Sequence, residues 1–369
     1  MPASHDVVRI GVVGAGLVAN AVHLPLLAEL PGFELAALAD PSPSAREAAS
    51  RRHRIPHALA DHRALLGLPD IDAVLVCSPN GTHARVTLDA LASGRHVLVE
   101  KPLCLDPADA DRVVAAAEAA GRVVQVGCMK RYDPAYEALL ADLHSGGELL
   151  HIASATFDPW LAPSFMPADA PLASDVPAAE RMALARATAA QVAAAANDDD
   201  PAHVHVYSDV FLGALVHDVN LVRGVLDRLG LPAPRVLDAA WAVRGAVATA
   251  VLGLPGDVRW TLAWMLIPGL EDFEQKLTVY ARDAVRSLLF PAPYLLQSPT
   301  VYARSTGTAG GNVTRTSRSW SEAYRRQLEH FHACVTEGET CRTPAGQGRD
   351  DVALLAEIFR TAVRAGVAA

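Results

Sequence analysis

Three short stretches of this chain hold residue types that can bind a nucleotide and move a proton. Residues 10–19 read IGVVGAGLVA, an apolar run entering Gly14-x-Gly16-x-x-Ala19 and then a helical pattern. A second apolar run, FELAALAD, ends on an acid, Asp40, 21 residues beyond Ala19. A third, RHVLVE, closes on Glu100-Lys101-Pro102. In the first stretch, Gly14 permits a tight strand-to-helix turn, Gly16 lets the backbone approach a pyrophosphate, and Ala19 lets the helix pack closely. The helix N-terminus then offers free N–H groups to the phosphates. Asp40 at a strand end accepts hydrogen bonds from ribose hydroxyls and repels a 2′-phosphate. Pro41-Ser42-Pro43 adds no cation beside it, so NAD is expected over NADP. Arg46, one turn into the next helix, is the residue that opposes this expectation. The third stretch places a lysine where a proton donor to a reacting oxygen would serve.

These residues need a scaffold, and the pattern around them supplies one. Five β-rich runs (VVRIGVVG, FELAALAD, DAVLVCS, RHVLVE and RVVQVG) alternate with helical patterns at 17–29, 43–52, 81–93 and 106–120. Such alternation predicts βαβ units in a doubly wound parallel sheet, a Rossmann-type α/β domain over residues 1–130. Asp106-Pro107 suits the cap and first turn of the fourth helix. Beyond Asp133-Pro134 the pattern changes. A helix near 134–145 ends at Gly146-Gly147, ELLHIASATF starts a strand, and residues 235–303 give five longer β-rich runs separated by turn residues. Residues 131–369 are therefore expected to form an α+β domain on an open, mostly antiparallel sheet, closed by helices near 321–337 and 349–366. Residues 158–206 interrupt it with a proline-rich stretch and an alanine-rich helix ending near Asn197. A long excursion of this kind is a substrate lid, an oligomer arm or a disordered segment.

Composition narrows the function classes. The net charge of −9, with no basic stripe, argues against a nucleic-acid partner. No run approaches the ~18 uninterrupted apolar residues of a membrane span. The start of the sequence enters a strand pattern without a targeting segment, so a cytoplasmic location is expected. Cys77, Cys104, Cys128, Cys334 and Cys341 show no metal-ligand or disulfide spacing, and no metal is expected. Asp198-Asp199-Asp200 reads as a solvated loop. His203 and His205 in HVHVYSD alternate as on a strand and point the same way, which suits substrate hydroxyls.

At this point the chain carries a likeness. SPNGTHARVTLDALASGRHVLVEKPL, GCMKRYDPAYEAL and LVHDVNLVRGVL resemble segments of the glucose–fructose oxidoreductase, inositol dehydrogenase and rhizopine-catabolism (Gfo/Idh/MocA) family. The likeness covers nearly the whole chain except 158–206. It implies reversible oxidation of a secondary alcohol on a sugar, amino sugar or cyclitol by NAD. The C-terminal sheet would mediate a homo-oligomer, a dimer or a tetramer. Lys101 matches the family lysine that hydrogen-bonds the reacting oxygen and relays its proton, and His217 matches the catalytic histidine. Leu17, Val18, Ser78, Pro79, Asn80, His83 and Glu100 join Gly14, Gly16, Asp40 and Lys101 as cofactor residues. Lys130, Tyr132, Asp218 and His205 are the candidate substrate contacts, although packing or ion pairing serves Lys130 and Tyr132 equally well.

One departure stands out. Members resembling inositol dehydrogenase carry an aspartate four residues before the histidine, on the same helix face; here that position is Gly213. Either another carboxylate replaces it or Lys101 and His217 act alone. Gly213 and the insertion keep two alternatives open: redox-assisted cleavage or elimination of a glycoside with retained NAD, and a non-catalytic sugar- or nucleotide-sensing regulator.

Overall fold

The chain opens with strand β1 (Val8–Val13), a π-helical turn (Ala19–His23) and helix α1 (Leu24–Glu29). A computed structural model describes residues 7–144, 148–159, 175–198 and 200–366. Then come β2 (Phe33–Ala39), α2 (Pro43–His53), β3 (His57–Leu59), α3 (His62–Leu66) and β4 (Ala73–Val76). Next are α4 (His83–Ala92), β5 (His96–Glu100), α5 (Pro107–Ala120) and β6 (Val124–Gly127). They are followed by α6 (Pro134–Asp142), β7 (Leu149–Asp158), α7 (Ala178–Ala196), α8 (Pro201–His205), a π-helix (Val206–Leu215) and α9 (Val216–Leu229). Seven strands come next: β8 (Arg235–Ala242), β9 (Val247–Gly253), β10 (Arg259–Leu266), β11 (Glu274–Ala281), β12 (Val285–Phe290), β13 (Val301–Thr308) and β14 (Gly311–Arg318). Helices α10 (Ala323–Thr336) and α11 (Ala345–Arg364) follow.

Two compact units result. One holds the described residues up to 128, those between 175 and 204, and 324–353; the other holds the rest. In the first, six parallel strands run in the order β3-β2-β1-β4-β5-β6. All four residues of β4 are buried, as expected of a strand covered on both faces. Local chemistry starts the helices: Ser42, Asp61 and Asp106 accept hydrogen bonds from amides in the first turns of α2, α3 and α5. Both β3 and α3 escape sequence reading, because each is too short to show a period.

The second unit's sheet has eight strands in the order β14-β13-β12-β11-β7-β10-β9-β8. Every pairing is antiparallel except β7 with β10. Its strands alternate: Trp260, Leu262 and Trp264 of β10 are buried, while Leu289 of β12 and Val313 of β14 face solvent. A doubly wound α/β domain plus an open, mostly antiparallel sheet is thus what forms. The β13–β14 hairpin lies largely beyond the predicted β-rich region, its polar residues giving no apolar alternation.

The strand for His203 and His205 is overturned, since both lie on α8. Asp200 caps that helix by accepting from Ala202 N at 2.9 Å, and Pro201 fills its first position. This helix-start signal outweighs a two-residue alternation. The alanine-rich helix does end at Asn197, in the left-handed conformation (φ 55°), whereas residues 160–174 of the insertion and Gly146-Gly147 lie outside the described residues.

Gly14 has φ +103°, and a Cβ there would sit 2.5 Å from the backbone oxygen of Cys77. Gly14→Ala is therefore expected to lower stability by about 2–4 kcal/mol, read as a shifted midpoint in urea unfolding. An unchanged midpoint would show that the turn can relax.

Candidate active site

In the parallel sheet, β1, β2, β4 and β5 end together at the carboxyl edge, the edge at which open α/β sheets bind ligands. Around the glycine turn the polar groups are tightly specified. Asp40 Oδ2 accepts from Ala15 N at 2.7 Å and Oδ1 from Ser42 N at 2.8 Å. Its carboxylate thus fixes the turn while keeping lone pairs for a ribose. Asn20 Nδ2 donates to Ala15 O at 2.6 Å. A Cβ on Gly16 would meet nothing within 4 Å, so the backbone there has open space for a phosphate group. These features fit a dinucleotide. Leu17 and Val18 lead into the π-turn. Arg46 Nη1 donates to the carbonyls of Asp40 (3.2 Å) and Pro41 (3.4 Å), so it stays on the Asp40 loop.

Across β1 from Asp40, Ser78, Pro79 and Asn80 form the turn after β4. Ser78 Oγ lies 2.6 Å from Thr82 Oγ1. His83 is buried, with Nε2 2.8 Å from Ser78 O and Nδ1 2.7 Å from Pro102 O. Burial lowers its pKa against the two carbonyls. With both nitrogens engaged, His83 joins the Ser78 turn to the Lys101-Pro102 segment.

Glu100 ends β5 and is buried. Its Oε1 lies 2.7 Å from His23 Nε2 on the π-turn, and Oε2 accepts from Lys101 N at 3.2 Å. Tyr324 packs edge-on against His23 at 5.6 Å between centroids. Sequence reading missed His23, which sits on the apolar helix after the glycine turn and gives no local signal. Lys101 follows a buried strand, and burial lowers its pKa from the ordinary lysine value, with Glu100 opposing. A lysine shifted this way can exchange a proton nearer neutral pH than a solvated one.

The second unit has its own polar cluster. His217 is the second residue of α9, directly after the ten-residue π-helix in which Gly213 lies. Asp209, four residues before Gly213, is turned to His205, with Oδ2 2.6 Å from Nδ1, and both are exposed. In the first unit, His203 pairs with Asp198 at 3.0 Å. Asp218 is buried; its Oδ2 accepts from Gln275 Nε2 at 3.1 Å and Thr156 Oγ1 at 3.3 Å. Lys130 Nζ donates to Gln275 Oε1 and stands over the Phe290 ring at 5.1 Å. Tyr132 is buried in the same short turn. Lys130, Gln275 and Asp218 thus form one chain of contacts. Gln275 was not foreseen, because β11 reaches α9 only in three dimensions. Burial raises Asp218 to about 6, against Lys130, Gln275, Thr156 and Ser154.

Among the described residues all five cysteines are free thiols. Cys334, Cys341 and His330 nevertheless meet, their ligand atoms within 4.8 Å of one another. Cysteine spacing alone gave no hint of this, because the histidine comes from α10. His330 Nε2 accepts from Arg342 N at 3.0 Å and Nδ1 lies 3.3 Å from Glu339. Among the described residues no helix is long and apolar enough to cross a membrane.

Fold and glycine turn together define a protein with an NAD-binding Rossmann domain and a second unit on an open β-sheet. Residues 8–128 match the family model described as "Oxidoreductase family, NAD-binding Rossmann fold". The match is confined to this first stretch, the residues that carry the glycine turn, Asp40 and Lys101. It is 40% identical over 140 residues to the inositol 2-dehydrogenase of Acidothermus cellulolyticus, covering 38% of this chain and 41% of that one. The matched segment thus spans less than half the length of this relative. Two solved structures share the fold at 20% identity. A putative myo-inositol dehydrogenase from Sinorhizobium meliloti has a TM-score of 0.71, covering 97% of this chain and 98% of that one. A 3-ketoreductase from Actinomadura kijaniata, solved with NADP and TDP-benzene, has a TM-score of 0.73, covering 96% and 98%.

Two outcomes follow from the electrostatics. Glu100→Gln removes the charge that raises Lys101, so the lysine should lose its proton at lower pH. The pH dependence of Lys101 acetylation by acetic anhydride, followed by peptide mass spectrometry, reads this; an unmoved profile would refute it. The folded-state pKa of Asp218, about 6, stands above its ordinary value of 3.8. The native state therefore holds this proton more tightly than the unfolded chain, and stability falls as pH rises through that interval and then levels. Asp218→Asn should flatten this part of a denaturation-against-pH curve, and an unaltered slope would count against the assignment.

Proposed function

We propose that this protein is an NAD-dependent oxidoreductase that moves a hydride between nicotinamide and a carbinol carbon of a sugar, amino sugar or cyclitol. The observation that carries it is Lys101: a desolvated lysine at the end of β5, held beside Glu100, which His23 ties to the glycine-turn helix. Gly14, Gly16, Asp40 and the Ser78–Asn80 turn would hold the dinucleotide, which when bound supplies the hydride acceptor. Lys101 takes the hydroxyl proton as the carbonyl forms and returns it in the reverse direction, stabilising a developing alkoxide meanwhile. His217 is the proposed second acid–base group, supported by its VHDVN context. Lys130 and Asp218 are offered to substrate hydroxyls. The exposed apolar residues Tyr280, Val285, Leu289 and Val313 on the second sheet support a homo-oligomer.

Gly213 favours one second reading. Lacking the carboxylate expected there, the chain would suit transient oxidation with retained NAD, in which a glycosidic bond is cleaved. Net NADH release during turnover would exclude that reading.

Lys101→Met should lower turnover with a reactive polyol by about 10²–10⁴-fold while leaving NAD affinity nearly unchanged. Absorbance at the NADH band and calorimetric titration measure the two separately. Unimpaired turnover would remove Lys101 from the mechanism.

A further inference from the structure

The insertion reaches the nucleotide edge of the first unit. Asp175, just before α7, accepts from Ser44 N through Oδ2 at 2.9 Å and from Ser42 Oγ through Oδ1. These donors form the N-terminus of α2, and Ser42 N itself donates to Asp40 Oδ1 at 2.8 Å. Ser42 therefore bridges a carboxylate from the insertion to the acid expected to hold the adenosine ribose. Its partners, a hydroxyl and a helix N-terminal amide, are what a phosphate would take. Arg46 stands on the same loop, bonded to the carbonyls of Asp40 and Pro41. Ser42, Ser44 and Arg46 amount to a 2′-phosphate pocket that the chain fills with its own anion.

The far end of α7 is anchored as well. Gln191 Nε2 donates to Gly81 O at 2.8 Å, and Thr188 Oγ1 occupies the space that a Cβ on Gly81 would need. Because β2 and β4 flank β1 in the sheet, the insertion is fixed on both sides of the glycine turn. From residue 178 to 191 the helix rises about 20 Å, enough to cross the ~10 Å that separates two strands with one between them. Gly16 keeps open space despite this strap.

We propose that Asp175 is a cofactor-specificity residue: by occupying the anion pocket at the start of α2 it excludes the 2′-phosphate of NADP and makes the chain select NAD. This rests on the dinucleotide reading above, and it goes beyond the repulsion expected from Asp40, because it assigns the selection to the insertion.

Calorimetric titration of the full chain with NAD, NADP, 5′-AMP and 2′,5′-ADP tests it without any turnover. Asp175→Ala should tighten NADP and 2′,5′-ADP by about tenfold, leaving NAD and 5′-AMP within about threefold. Adding Arg46→Ala to that variant should abolish the gain. Asp175→Asn, which keeps the shape but not the charge, should fall between and guards against a folding defect. NAD binding as in the wild type with an unchanged NAD-to-NADP ratio in both variants would overturn the proposal, as would a wild type that prefers NADP. A folded wild type that binds none of the four ligands would instead overturn the dinucleotide reading itself.

Discussion

The buried contact between His23 and Glu100, 2.7 Å from Nε2 to Oε1, is the interaction on which the first unit's chemistry rests. It joins the helix that follows the glycine turn to the strand that carries Lys101. A glutamate buried at a strand end is costly unless its oxygens are met, and here both are, by His23 and the Lys101 amide. Gly127 is a glycine for the same reason: a Cβ there would lie 3.0 Å from Glu100 Oε1. Losing His23 would leave Glu100 Oε1 without its partner beside the lysine and would free the helix that follows the glycine turn. The placing of the glycine-turn helix and the surroundings of Lys101 are therefore joined by one contact, and neither can be tuned without the other.

Much of this was legible in sequence because parallel sheets write it locally. The strand runs, the glycine turn, Asp40 and Glu100-Lys101 each lie at the end of an apolar stretch, so the carboxyl edge can be read before the fold is known. Residues that contribute from a distance escaped. His23 looks like a helix residue among apolar neighbours, and the cluster of His330, Cys334 and Cys341 has no recognisable spacing. His203 and His205 depart from their two-residue alternation because a capping aspartate and a proline decide how residues 201–205 fold.

The second unit shows the same division more sharply. Its strands were visible through alternation, but the use of its polar residues was not. Lys130 follows the last strand of the first sheet, Gln275 lies in mid-strand on β11, and Asp218 stands near the start of α9. Only folding joins them. Once joined, Gln275 uses both ends of its amide, accepting from Lys130 and donating to Asp218. An ammonium and a buried carboxylate are thereby coupled through a neutral spacer. That lets Asp218 keep a raised pKa where direct contact with Lys130 would depress it. The Gly213 position makes this coupling more consequential, since Asp209 is committed to His205.

The insertion adds a different kind of constraint. Helix α7 is alanine-rich and mostly exposed, burying only Val192, Ala195 and Ala196. So little apolar burial cannot fix a helix of this length, and polar anchors must supply the rest. Those anchors fall on Ser42, Ser44 and Gly81, in loops that border the glycine turn rather than in the sheet's interior. A segment held in this way opens at low cost compared with the sheet beneath it. The proposed selection for a nucleotide then rests on these few hydrogen bonds, while the buried contact beside Lys101 is made by other residues.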